Sequence, residues 1–136
     1  MNRFQRTRKD HARETAEDYV ELIQNLIDES GEARAVDLAE RLGISPVTVT
    51  QTIRRLIKEG YVTSEPYRSI FLTEKGAKLA QYARERHEIV LSFLLAAGVP
   101  KAAAEHDSEG MEHHASTETL QAMRDFVAQR KSNDPV

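Results

Sequence analysis

The sequence predicts a mainly α-helical chain with one small β-hairpin, and three observations predict it. Two short amphipathic segments lie within residues 33–57, separated by a turn at Gly43. Two runs of strand-forming residues, 61–64 and 69–73, follow at once and flank Glu65-Pro66-Tyr67-Arg68. Beyond them, apolar residues recur at three- and four-residue steps through 74–97 and again from Leu120 to Val127. Short helix, glycine turn, second helix and hairpin in that order predict a winged helix-turn-helix, followed here by a helical domain. The predicted divisions are a flexible basic arm (1–13), a DNA-binding domain (14–76), a helical dimerisation and metal-binding domain (77–130) and a frayed tail (131–136).

With 136 residues, 40% apolar and 30% charged, the chain is globular in composition rather than disordered. It has no cysteine, which excludes disulfides and thiolate metal sites. No apolar run approaches a membrane span, and the N-terminus has no apolar segment to act as a secretory signal, so a cytoplasmic location with no membrane partner is expected. The formal net charge of −3 does not advertise nucleic-acid binding, but its distribution is uneven. Residues 1–13 carry Arg3, Arg6, Arg8, Lys9 and Arg13 against Asp10 alone, whereas acid collects in 105–118. Because residues 1–12 lack apolar periodicity, they read as a flexible arm, either idle or touching DNA phosphate.

A helix is expected over 11–30, with Tyr19, Val20, Ile23, Leu26 and Ile27 as its apolar stripe and Gly31 as its stop. Asp18 and Glu21 lie nearly opposite that stripe and, taken alone, are an ordinary solvated pair. Within 33–57, Val36, Leu38, Ala39 and Leu42 mark the first short helix. Ser45 can cap the second, and Pro46 suits its first position because a missing N–H costs nothing there. In that second helix Val49, Ile53, Leu56 and Ile57 form the apolar stripe, leaving Val47, Thr48, Gln51, Arg54, Arg55 and Lys58 outward. A purely structural hairpin would not need Thr, Gln and Arg outside, so this face predicts DNA reading. Arg68, near the hairpin tip, is placed to reach backbone or minor groove.

Thr73 can cap the helix expected over 74–97. Its first half is polar, with Lys78, Gln81, Arg84, Glu85 and Arg86, and its second half, from Ile89, is apolar around much of its circumference. One short chain has too little material to cover that half, so a second copy is expected, making a homodimer. His87, just before the apolar half, reads more simply as a structural histidine than as a ligand. A helix from Pro100 carries Glu109, Glu112 and His113 at i, i+3 and i+4, on one face, with His106 a turn earlier. Carboxylate and imidazole together suit Mn²⁺, Fe²⁺, Zn²⁺ or Co²⁺. Gly110 in that helix hints at close approach of an ion or a neighbouring helix. Ser116 is placed to cap the last helix.

Several stretches, in order, resemble the diphtheria-toxin-repressor family of metal-dependent transcription repressors, and its manganese-responsive branch in particular. They are Glu17-Asp18-Tyr19-Val20-Glu21, Gly31-Glu32-Ala33-Arg34, Thr48-Val49-Thr50, Phe71-Leu72-Thr73-Glu74-Lys75-Gly76, Arg86-His87-Glu88 and Glu109-Gly110-Met111-Glu112-His113-His114. The resemblance implies that Asp18, Glu21, His87, Glu109, Glu112 and His113 hold metal, with two Mn²⁺ per subunit. Fe²⁺, Zn²⁺, Co²⁺ or Cd²⁺ could occupy the same ligands in vitro. It implies a homodimeric repressor of metal-transport genes that binds double-stranded operator DNA once metal joins its two domains, with no small organic substrate and no enzymatic activity. The iron branch has sulfur-bearing ligand positions and an appended SH3-like domain; this chain has Glu at the corresponding position and ends before such a domain. It departs from the family pattern in its basic extension before residue 14 and in Ser69, where Gly is frequent. The alternative is a metal-independent winged-helix regulator, which would share residues 33–73 but has no reason to keep six carboxylate and imidazole positions. A small metallohydrolase would also need a substrate pocket and an open coordination position, for which the sequence offers no sign.

Overall fold

The computed structural model describes residues 2–65 and 69–133. Its elements run α1 (Arg3–Ser30), α2 (Ala35–Leu42), α3 (Pro46–Lys58), β1 (Val62–Ser64), β2 (Ile70–Leu72), α4 (Glu74–Ala96), α5 (Lys101–Met111) and α6 (Thr117–Asn133). The chain divides after Gln81 into two compact units, so α4 begins in the first and ends in the second.

The first correction to the sequence reading is at the N-terminus. Residues 3–13 are no flexible arm; they are the opening three turns of α1. The Asn2 side chain accepts from the Gln5 N–H at 2.9 Å, and the Gln5 side chain accepts from the Asn2 N–H at 3.1 Å. This reciprocal box satisfies two of the donors that a helix start leaves unpaired. No Gly or Pro interrupts the chain before Gly31. Apolar periodicity was missing because these turns bury nothing, not because they are irregular. At the other end, Lys131–Asn133 continue α6 rather than fraying, and residues 134–136 lie outside the described residues.

In the first unit, Tyr19, Ile23 and Leu26 of α1 pack with Leu38 of α2, Val49, Ile53 and Leu56 of α3, and Val62 and Ile70 of the hairpin. The turn between α2 and α3 passes through Gly43 at φ 68°, a left-handed conformation that costs other residues a Cβ clash. Ser45 Oγ then accepts from the Thr48 N–H at 3.2 Å, and Pro46 takes the first helical position as expected. β1 and β2 pair antiparallel with Val62 opposite Leu72 and Ser64 opposite Ile70. The hairpin does not stand alone, because the Ile70 N–H donates to the Ala33 carbonyl at 2.7 Å. Ser69 Oγ adds a bond to Glu32 at 3.0 Å. Bonds from Arg34 and from Ser69 hold the Glu32 carboxyl below its ordinary pKa. That tie is therefore present above the ordinary carboxylate range and is lost as pH falls through the lowered value.

The hairpin and α4 are closely joined. Thr73 Oγ1 donates to the Gly60 carbonyl at 2.6 Å and accepts from the Gly76 N–H at 3.1 Å, so it caps α4 and ties it to the end of α3. The Thr73 N–H donates to the Tyr61 carbonyl at 3.0 Å, and Lys75 Nζ sits 4.3 Å from the Tyr61 ring centroid.

In the second unit Val90 and Leu94 of α4 form a core with Ala104 of α5 and Leu120 and Met123 of α6. Phe93 and Phe126 meet edge to face at 5.3 Å between centroids. The apolar half of α4 is thus covered in part by α5 and α6. Leu95 remains 44% exposed and Met111 40%.

Candidate nucleic-acid interface and metal ligands

The outward face of α3 is built as its pattern predicts. Ser45, Val47, Thr48, Gln51, Arg54 and Lys58 are exposed, while Val49, Ile53 and Leu56 are buried beneath them. Ser45 is engaged as the cap and also lies 2.9 Å from Thr48 Oγ1, which fixes the N-terminal edge of this face. Two residues behave differently. Ile57, expected in the core stripe, is 41% exposed on a cleft of about 710 Å³ between α3 and the hairpin, which Arg34, Val36 and Arg54 also line. Arg55, expected outward, is half-buried: its Nη2 donates to the Ala12 carbonyl at 3.4 Å and its Nε lies 3.4 Å from Glu59 Oε1. The Ala12 carbonyl of α1 supplies that acceptor. Arg68 lies outside the described residues.

A division of labour follows for two exposed positions. Gln51→Ala is expected to remove about 1–3 kcal/mol of discrimination between operator and mismatched duplex, as loss of a base-edge contact does. Lys58→Ala should instead weaken all duplexes alike and flatten the salt dependence by about one unit per phosphate contact. Binding titrations against operator and random duplex over a salt series check this. Equal loss of specific and non-specific binding in both variants would contradict it.

The proposed metal ligands fall in both units. In the first, Asp18 and Glu21 stand three residues apart on α1, Asp18 exposed and Glu21 half-buried. The buried carboxylate of that turn is Glu17, 2% exposed and 4.0 Å from Arg13 Nε, a residue the ligand reading left out. In the second unit, α5 ends at Met111, yet Glu112 keeps helical backbone angles and its N–H donates to Ser108. Glu112 therefore stays in helical register, whereas His113 lies in the turn beyond. This turn folds Glu112 and His113 inward, at 5% and 3% exposure. Glu112 Oε2 lies 2.7 Å from His87 Nδ1 of α4, and its Oε1 lies 3.6 Å from His113 Nε2.

Three of the six sequence-selected residues are thus brought together around one carboxylate, His87 coming from 25 positions before Glu112. Glu109 is exposed one turn earlier, and His106 is 88% exposed beside Asp107. Among the described residues, no three His, Asp or Glu side chains already form a group that could hold a metal ion. A Cβ on Gly110 would meet no atom of the described residues within 4 Å, so the close neighbour inferred for it is not among them.

Sequence reasoning missed Arg86, which it counted with the polar half of α4. Arg86 is 6% exposed, its Nη2 donates to the Ala115 carbonyl at 3.3 Å, and its guanidinium stacks 5.2 Å from the Tyr82 centroid. It ties α4 to the segment just after Glu112 and His113, and so positions His87 against them. Nothing local in the sequence distinguishes it from Arg84.

The chain thus joins a winged helix-turn-helix with a polar, basic outer face on α3 to helices that bury a carboxylate between two imidazoles. Residues 11–70 match the model of the iron dependent repressor N-terminal DNA binding domain, and residues 73–135 match that of the iron dependent repressor metal binding and dimerisation domain. The chain is 52% identical over 126 residues to the transcriptional regulator MntR of Salmonella typhimurium, covering 93% of this chain and 80% of the relative. It is 54% identical over 124 residues to the MntR of Escherichia coli O6:H1, covering 91% and 80%. A solved manganese-dependent transcriptional repressor in complex with manganese superposes with a TM-score of 0.75 at 25% identity over 83% of this chain; the chain spans about half the length of that structure. The chain belongs to the diphtheria-toxin-repressor family of metal-dependent repressors, in its manganese transport regulator branch. It is a transcriptional regulator and not an enzyme.

Proposed function

We propose that the protein is a Mn²⁺-activated, homodimeric repressor of metal-transport genes, whose ligands are Asp18, Glu21, His87, Glu109, Glu112 and His113. The observation that carries this reading is the Glu112 carboxylate set between His87 and His113 in the second unit. The donor set fits the ion. Four carboxylates and two imidazoles, with no cysteine anywhere in the chain, make a hard, oxygen-rich site. Two bound divalent ions would supply +4 against the −4 of the ionised carboxylates. Without that charge, Asp18 and Glu21 on α1 have electrostatic reason to avoid Glu109 and Glu112. Ligands drawn from both units then make metal binding a restraint on how the recognition helix is held, and a dimer needs that restraint to match two successive major grooves.

A mobility-shift titration of the protein on its own upstream DNA, with Mn²⁺, Fe²⁺ and Zn²⁺ in parallel, tests the reading. Binding gained on Mn²⁺ addition supports it; equal binding with and without metal would favour the metal-independent alternative. Zn²⁺, which such ligands generally hold more tightly than Mn²⁺, is expected to bind and yet activate less well. Because Leu95 and Met111 remain open in the second unit, sedimentation at micromolar concentration without metal should give a dimer mass. A monomer would contradict that part of the proposal.

A further inference from the structure

The cleft of about 710 Å³ between α3 and the hairpin has the size of a small-molecule site. Thr50, Ile53, Arg54 and Ile57 line it from α3 at i, i+3, i+4 and i+7, one stripe about 10 Å long. Val36 of α2 and Ile70 of β2 add to the apolar lining, and Val36 and Ile57 stay exposed within it. Most of the polar groups there are already committed. Arg34 pairs with Glu32 at 3.2 Å. The Thr50 hydroxyl donates to the Pro46 carbonyl at 2.9 Å, and that of Ser64 to the Glu65 carbonyl at 3.4 Å. The Glu65 residue is engaged as well. Arg54 is the exception: among the described residues it makes no hydrogen bond or ion pair. A single uncommitted guanidinium beside branched aliphatic side chains suits a monoanion with an apolar body. Its planar fork matches the two oxygens of a carboxylate, and the aliphatic stripe takes the body.

We propose that this cleft is a ligand site for a small amphipathic monocarboxylate, and that its occupant and duplex DNA exclude one another. The exclusion rests on the DNA-binding reading above, because Arg54 shares the outward face of α3 with Gln51 and Lys58. The seat itself stands without that reading. A monocarboxylate fits better than a phosphate dianion because Glu32 already neutralises Arg34, which leaves one cation to be matched.

Calorimetric titration of the metal-free protein with naphthoate, without DNA, reads the seat. A ligand of that size on one charged anchor should bind with a Kd of about 1 mM. Naphthylmethylammonium, with the same rings and the opposite charge, should not bind. Arg54→Gln should weaken naphthoate about tenfold, as loss of a charge-assisted hydrogen bond does, and Ile57→Glu should abolish its binding. Circular dichroism verifies that both variants fold. In a mobility shift with Mn²⁺ and the wild-type protein, naphthoate should raise the apparent Kd for operator in proportion to its occupancy. No binding of naphthoate, equal binding of the cation, or Arg54→Gln that binds as wild type would overturn the seat. Naphthoate that binds and leaves operator affinity unchanged would overturn the exclusion. Failure of the wild type to bind operator with Mn²⁺ would overturn the DNA reading, and the exclusion with it, whatever the calorimetry gives for the seat.

Discussion

Gly76→Ala is expected to destabilise the first unit by about 3 kcal/mol, the upper end of the usual cost of overpacking. A Cβ there would overlap the Tyr61 carbonyl oxygen, lie 3.0 Å from its carbonyl carbon and come within 3.3 Å of Leu72 Cδ2. The first two are backbone atoms, and the Tyr61 carbonyl is already fixed by the Thr73 N–H. Relief therefore requires the first turn of α4 to back away from the hairpin stem, which breaks the Thr73 cap. Urea unfolding of the metal-free protein reads the effect as a lower midpoint. A change within about 0.5 kcal/mol, as an unremarkable surface substitution gives, would show that the junction yields more easily than its packing implies.

Alanine at Glu21 or at His87 is expected to leave a folded dimer that has lost its response to metal. Neither side chain belongs to either apolar core, so truncation opens no cavity there. His87→Ala removes the imidazole from the Glu112 carboxylate and so disturbs the second unit's share of the ligands. Glu21→Ala removes a carboxylate from α1, in the DNA-reading unit. Under the proposal both break the same link from opposite sides. Circular dichroism and sedimentation should match wild type, while the Mn²⁺-dependent gain in operator affinity collapses toward onefold. A variant that keeps the full gain would show that its residue lies outside the switch.

Much of this was readable because it is local. Ser45, Pro46 and Gly43 announce the turn and the start of α3 through backbone chemistry that acts within a few residues, and the exposed Gln51 and Lys58 follow from the period of the helix. The opening of α1 was misread because solvated turns leave no hydrophobic pattern. The signal that could have found it was the pairing of Asn2 with Gln5, a capping box in plain sequence. Arg55 is a separate case: its position on the wheel is outward, but its partner is Ala12 of α1, a contact between helices that periodicity does not register. The approach of His87 to Glu112 had no local sign at all. It spans a helix–helix packing that periodicity cannot register, and only the family resemblance selected both residues. Gly76, quoted for that resemblance, showed its physical necessity only once the Tyr61 carbonyl was placed beside it.

The central claim is that metal and operator DNA act on one another through the chain, and linkage makes that claim two-sided. Allosteric coupling of about 1–3 kcal/mol corresponds to a 5- to 150-fold change in affinity, and it must be the same in both directions. The most direct measurement pairs operator titrations with and without Mn²⁺ against Mn²⁺ titrations with and without operator, on one preparation of the intact protein. The account predicts a gain in that range for each, equal within error, and no gain in either for Glu21→Ala. Mn²⁺ affinity that operator DNA leaves unchanged would contradict it.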